Sequence, residues 1–171
     1  MDPFETLGVE PVYALELAVL EQRHRDLSRA LHPDRHAASG AGERRMALGR
    51  AIEVNEAFRI LKDPVRRAEA LLARRGVQSG EGKEPPASPA LLMEVMERRE
   101  ALAEVRQSKN LAALSALIAE VSSSAARTET ALSQEFLASS SNSAEILKRV
   151  GELRYYRRFL DEAASIADDL L

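Results

Sequence analysis

Cysteine is absent from the 171 residues, which excludes disulfides, thiolate catalysis and cysteine-ligated zinc or iron–sulfur sites within the chain. That fits a reducing compartment. Tryptophan is also absent, and aromatic residues make up only 4%. Alanine and leucine must therefore supply the core, a composition that suits helix–helix packing better than a sheet. No run reaches the roughly 18 apolar residues that a membrane-spanning helix needs. The start, MDPFETLGVEP, is acidic and broken by two prolines. It lacks the basic start and apolar run of a secretory signal, so the cytoplasm is the expected location. Nor is there an excess of positive charge: the formal net charge is -3, and no overall field recruits nucleic acid. What remains is a globular balance of 45% hydrophobic and 30% charged residues.

Proline and glycine are unevenly spread. Prolines stand at 3, 11, 33, 64, 85, 86 and 89 and then stop, and beyond Pro89 there is a single glycine, Gly151. The chain thus divides into a punctuated first half and a continuously helical second half. The divide, VQSGEGKEPPASP from Val77 to Pro89, has the composition of a linker.

In the first half, Pro11 is expected to open a helix carrying Leu15, Leu17, Leu20, Leu27 and Leu31. Its early charges are acidic and its late ones mostly basic, complementing a helix dipole. Pro33 must end it, because a residue before proline avoids the α region. A second helix is expected from about Gly42 to Lys62, with Leu48, Ile52, Asn55, Phe58 and Leu61 along one side. Gly49 in its middle costs roughly 1 kcal/mol against alanine. Asp63–Pro64 reads as a stop and a fresh cap, and a short helix follows to Arg75, closed by Gly76. The second half gives three longer helices. One runs from Ser88–Pro89 to about Ser108, and one from an Asn110 cap to about Ala138. After a turn at SSSNS, the third starts from a capping box of Asn142 and Glu145 and runs nearly to Leu171. Three antiparallel helices with short turns make a bundle.

The stretch ALHPDRHA, Ala30 to Ala37, interrupts the helical pattern. His32, His36 and Asp34 could ligate a metal, but Pro33 breaks the register that would align the histidines and no fourth ligand is near. Catalysis would need a nucleophile or a second acid–base group held by a partner, and no glycine-rich cradle or serine elbow accompanies the histidine. A solvated turn and a docking tip remain. For docking, proline freezes the turn, so little entropy is lost on binding. The preceding helix carries Arg23, Arg25 and Arg29. Arg25 and Arg29 are four apart and share a face, a strip suited to an acidic partner.

These residues carry a resemblance. His32-Pro33-Asp34 between two antiparallel helices, then Asn55-Glu56-Ala57-Phe58, then Leu61-Lys62-Asp63-Pro64 resemble a J-domain. That resemblance implies that the loop and the basic helix before it dock onto a DnaK-type chaperone and stimulate ATP hydrolysis there. His24 stands where the family usually has an aromatic, and Leu31 where tyrosine is common. Both are expected to pack in the core.

The stretch LLMEVMERREALAEV, Leu91 to Val105, carries two apolar stripes. On a wheel of about 100° per residue, Leu91, Val95 and Leu102 fall within about 40° of one another. Leu92, Met93 and Met96 lie roughly opposite, with Glu97, Glu100 and Glu104 on the same far side. The second stripe either packs on a neighbour within the protein or meets a partner through adaptable methionines flanked by carboxylates that select basic groups.

DPVRRAEALLARRGV after a J-domain, followed by LLMEVMERREAL opening a helical bundle, resembles the HscB type of J-protein over essentially the whole chain. Ala70 departs from the usual aromatic. The resemblance implies an all-α chain: a J-domain at 1–76, a linker at 77–87 and a three-helix bundle at 88–171. It implies a co-chaperone, not an enzyme, that presents an IscU-type iron–sulfur scaffold to an HscA/DnaK-type chaperone. His32, Pro33, Asp34, Arg23, Arg25 and Arg29 would face the chaperone. Leu92, Met93, Met96, Glu97, Glu100, Glu104 and Tyr155 would face the scaffold, with Tyr156 the alternative aromatic. No cofactor and no metal are expected, since the cysteine zinc module of some relatives is missing. A general J-protein whose bundle binds other clients is the alternative.

Overall fold

The computed structural model describes residues 1–36, 40–138 and 142–170, and of His36 only the backbone. Among the described residues there are helices and no strands. The elements are α1 (Pro3–Leu7), α2 (Leu17–Ala30), a 3₁₀ turn (Pro33–His36), α3 (Ala41–Lys62), α4 (Pro64–Arg74), α5 (Pro89–Ser108), α6 (Leu111–Leu137) and α7 (Ser143–Leu170). They form two compact units, Met1–Val77 and Gln78–Leu171. The segment expected as a linker thus belongs, almost entirely, to the second unit. No helix among the described residues is long and apolar enough to cross a membrane.

The first unit holds an antiparallel pair, α2 and α3, closed by α1 and α4. Helix α1 was not expected from sequence. Asp2 caps it, accepting from the Phe4 N–H at 2.9 Å, and Gly8 ends it at φ 62°, a left-handed conformation that glycine adopts without penalty. Phe4 and Leu7 are each only 1% exposed. Arg74, at the end of α4, pairs with Asp2 and so ties the last helix of the unit to the first.

Pro11 does not open α2. The chain stays irregular until Leu17 because Tyr13, 3% exposed, is buried there with the Arg67 guanidinium 4.9 Å from its ring centroid. Arg67 in turn donates to the Leu61 carbonyl at 2.8 Å.

The expected side of α3 is also corrected. Leu48 and Ile52 are 58% and 61% exposed, and the buried positions are Ala47, Val54, Ala57 and Leu61. Each three-residue step falls about 60° short of a full turn, so the line from Leu48 to Leu61 drifts about 140° around the helix. The small residues Ala47 and Ala57 face inward instead. The Asp63–Pro64 junction behaves as expected: the Asp63 carboxylate accepts from the Val65 and Arg66 N–H groups at 2.9 and 3.0 Å.

The second unit is the three-helix bundle of α5, α6 and α7. Ser88 caps α5 at the Leu91 N–H, and Asn110 caps α6 at the Ala113 N–H. Asn142 caps α7 at the Ala144 N–H, 3.0 Å away. Glu145 turns forward to Lys148 and Arg149, at 3.7 and 3.6 Å. The rest of the expected SSSNS turn, residues 139–141, and Leu171 lie outside the described residues. Leu114, Val121, Leu132, Ile146 and Leu153 are at most 1% exposed, and each such side chain contributes about 1.5–3 kcal/mol of burial.

Candidate functional site

The loop between α2 and α3 projects its polar groups outward. His32, Pro33, Asp34 and Arg35 are all exposed, with the His32 and Asp34 side chains 58% and 90% accessible. A short turn shapes the tip. The Arg35 N–H donates to the His32 carbonyl at 3.0 Å. The Asp34 N–H donates to His32 Nδ1 at 3.3 Å, and the Asp34 carboxylate lies 3.5 Å from the same nitrogen. The imidazole and the carboxylate are therefore held beside each other and left open to a neighbour. The metal reading also needed the His36 side chain, which lies outside the described residues.

The basic residues of α2 are not one strip. Arg25 and Arg29, about 40° apart on the helix, share a face, whereas Arg23 lies about 160° from Arg25. Arg23 borders a cleft with Gly8, Val9 and Leu20. Arg25 donates to Gln22 at 2.9 Å and faces Glu21 at 3.8 Å.

His24 sits on the seam between α2 and α3. Its ring stacks on Phe58, with centroids 4.2 Å apart and 16° between planes, and its Nε2 lies 2.9 Å from Asn55 Oδ1. It takes the packing role of an aromatic while bonding at the rim. His24 and Leu31 are both only half-buried, so neither lies in the core as expected.

On the bundle, α5 turns its two stripes in opposite directions. Leu102 is buried, and Leu91 and Val95 are half-buried beside α7. Leu92, Met93 and Met96 are 52%, 63% and 63% exposed, so more than half of each residue in the second stripe is left open. Glu97, Glu100 and Glu104 are exposed as well, and Glu104 borders a shallow groove toward Ala113 and Leu117 of α6.

The two tyrosines separate cleanly. Tyr156 is 6% exposed and belongs to the core. Tyr155 is half-buried and lines a groove with Leu91 and Val95, on the side of α5 that faces α7. Burial pushes both hydroxyls above the ordinary tyrosine range.

A feature that sequence reasoning missed holds α5 in this orientation. Arg98, 7% exposed, points into the bundle. Its Nη1 lies 2.5 Å from Glu94, and its Nη2 donates to Ser124 at 3.0 Å and to Glu120 at 3.3 Å. The guanidinium carbon sits 5.3 Å from the Tyr156 ring centroid, and the Tyr156 hydroxyl donates to Glu94 at 3.3 Å. Burial disfavours the charge, but Glu94, Tyr156 and Glu120 outweigh it and raise the Arg98 pKa above its ordinary value. The i, i+4 spacing of Glu94 and Arg98 was the available signal.

Comparisons with known proteins agree with this layout. Residues 87–164 match the family model described as the HSCB C-terminal oligomerisation domain. The co-chaperone protein HscB homolog of Shewanella sp. (strain MR-4) is 34% identical over 176 aligned residues, covering 100% of this chain and 99% of that protein. The co-chaperone protein HscB homolog of Burkholderia vietnamiensis is 39% identical over 118 residues, covering 69% and 67% of the two chains. The solved chaperone HscB from Vibrio cholerae superposes with a TM-score of 0.85 at 30% identity over the full length of both chains. The human co-chaperone protein HscB superposes equally well, TM-score 0.85, at 22% identity, covering 96% of this chain and 81% of that one, a likeness of fold. The chain belongs to the HscB co-chaperone family.

Proposed function

We propose that the chain bridges two proteins during iron–sulfur cluster assembly. The loop His32-Pro33-Asp34, with Arg25 and Arg29 beside it, docks on an HscA/DnaK-type chaperone and stimulates its ATPase. The α5 face of Leu92, Met93, Met96, Glu97, Glu100 and Glu104, joined by Tyr155 from α7, holds an IscU-type scaffold. The catalytic groups for ATP hydrolysis belong to the chaperone. This chain supplies binding, and linking two sites on one molecule raises the effective concentration of one partner at the other.

The observation that carries this reading is the outward-facing, pre-shaped His32–Asp34 tip in a chain of this family. A tip that is already ordered loses little entropy on docking. Asp34→Asn keeps the size of the side chain and removes its charge. Chaperone ATPase stimulation is expected to vanish while the melting temperature and scaffold affinity stay unchanged. Undiminished stimulation would rule the docking role out.

A second reading rests on Met93 and Met96, whose flexible side chains suit varied apolar surfaces. It makes the chain a general J-protein for other clients. Capture of many unfolded chains and no scaffold in a pull-down would favour it.

A further inference from the structure

The segment 78–88 is built into the bundle, and Glu84 organises it. Glu84 Oε1 accepts from Arg154 Nε at 2.9 Å and lies 2.7 Å from Arg154 Nη2. Glu84 Oε2 accepts from the Gly82 N–H at 3.0 Å. One carboxylate therefore ties the segment to α7 and folds the segment on itself. It does so with its side chain only 14% accessible, where a charge pair is less screened than on open surface.

The surrounding backbone is shaped for this. The Lys83 N–H donates to the Gly80 carbonyl at 3.0 Å, and Gly80 and Gly82 have φ of 130° and 79°, conformations that side chains disfavour. On α7, Gly151 lets the segment approach: a Cβ there would stand 3.2 Å from Glu84 Cγ. Farther out, Arg158 meets Glu81 at 2.5 Å. The hydrogen bond and charge of Arg158 hold the Glu81 carboxyl below its ordinary value. Both side chains of that outer pair are mostly exposed, so the inner pair dominates the clamp.

The segment lines a groove of about 350 Å³ together with Leu91, Val95 and Tyr155. It then runs through Pro85 and Pro86 to Ser88, the cap of α5. Leu92 lies only eight residues beyond Glu84. Any freedom at Glu84 would reach the first turns of α5, where the exposed stripe begins.

We propose that Glu84 and Arg154 are positioning residues for the partner face: by clamping segment 78–88 beside Leu91, Val95 and Tyr155, they hold the start of α5 and the Tyr155 ring as one preformed surface. The inference rests on the scaffold-docking reading above. Its physical basis is preorganisation, since a surface ordered before binding loses less entropy on binding.

The test uses the full chain, with amide hydrogen exchange at Gly82 and Lys83 and calorimetric titration against purified apo scaffold protein. Glu84→Ala and Arg154→Ala are each expected to speed exchange at those amides about tenfold and to weaken scaffold binding about threefold. The melting temperature should shift by no more than about 2 °C. Arg154→Lys is expected to restore most of both losses, and the double alanine variant to be no worse than either single one. Unchanged exchange in the single variants would overturn the clamp. Faster exchange with unchanged affinity would overturn the positioning role. Absence of scaffold binding by the unsubstituted chain would overturn the docking reading itself and the positioning role with it, a failure visible before any variant is made.

Discussion

Leu92 and Met96 expose 52% and 63% of their surface on a helix whose other side is buried. Exposed side chains contribute little to folding, so Leu92→Ala with Met96→Ala should change bundle stability by no more than about 0.5 kcal/mol. If they anchor the scaffold, the same pair should lower its affinity at least about tenfold, as anchor residues do. Thermal melts and a binding titration on one protein preparation check both. Early melting with unchanged affinity would show that they serve the core. The outward aim of these residues was legible in sequence because a helix wheel put them opposite Leu91, Val95 and Leu102. The exposure of Leu48 and Ile52 was not, because the reading followed the largest apolar side chains, and the inward face of α3 is built partly from alanine. His24 was legible as a packing residue, and its stack on Phe58 supplies the contact that an aromatic would make.

Among the elements, α5 depends on an arginine where an apolar residue would be the simpler choice. Arg98 is buried, but its partners Glu94 and Glu120 keep 36% and 63% of their side-chain surface accessible. They can rehydrate once the guanidinium is gone, so the usual penalty for stranding a buried charge is reduced. Arg98→Ala, which also leaves a void, should cost about 2–3 kcal/mol in urea unfolding. Arg98→Met, which fills the space, should fall within about 1 kcal/mol of the unsubstituted chain. An equal loss in both would mean that the ionic contacts, and not the volume, hold α5. Helix boundaries followed their chemistry: Asp63–Pro64, Ser88–Pro89 and Asn110 were readable as caps and act as caps. Asp2–Pro3 with Gly8 has the same signature as Asp63–Pro64 with Gly76, yet α1 is so short that Pro3 and the nearby Pro11 read as breaks. The late start of α2 was hidden for another reason. Only the fold brings Arg67 over Tyr13, and no local pattern announces that contact.

For the whole molecule, the division into a punctuated half and a continuous half corresponds to the two units, Met1–Val77 and Gln78–Leu171. Composition alone made 77–87 a linker and left its stiffness open. Ion pairs with residues some 70 positions away bind most of it to the bundle, and that kind of partnership has no local signature in a sequence. The function proposed here belongs to neither unit alone, because one docking tip and one apolar face matter together only if a single chain carries both. The decisive measurement is the steady-state ATPase rate of the HscA/DnaK-type chaperone with this chain, with the scaffold, and with both. A bridge predicts that the two together raise the rate well above the sum of their separate effects, and that Leu92→Ala with Met96→Ala removes this excess while sparing stimulation by the chain alone. A purely additive rate would contradict it.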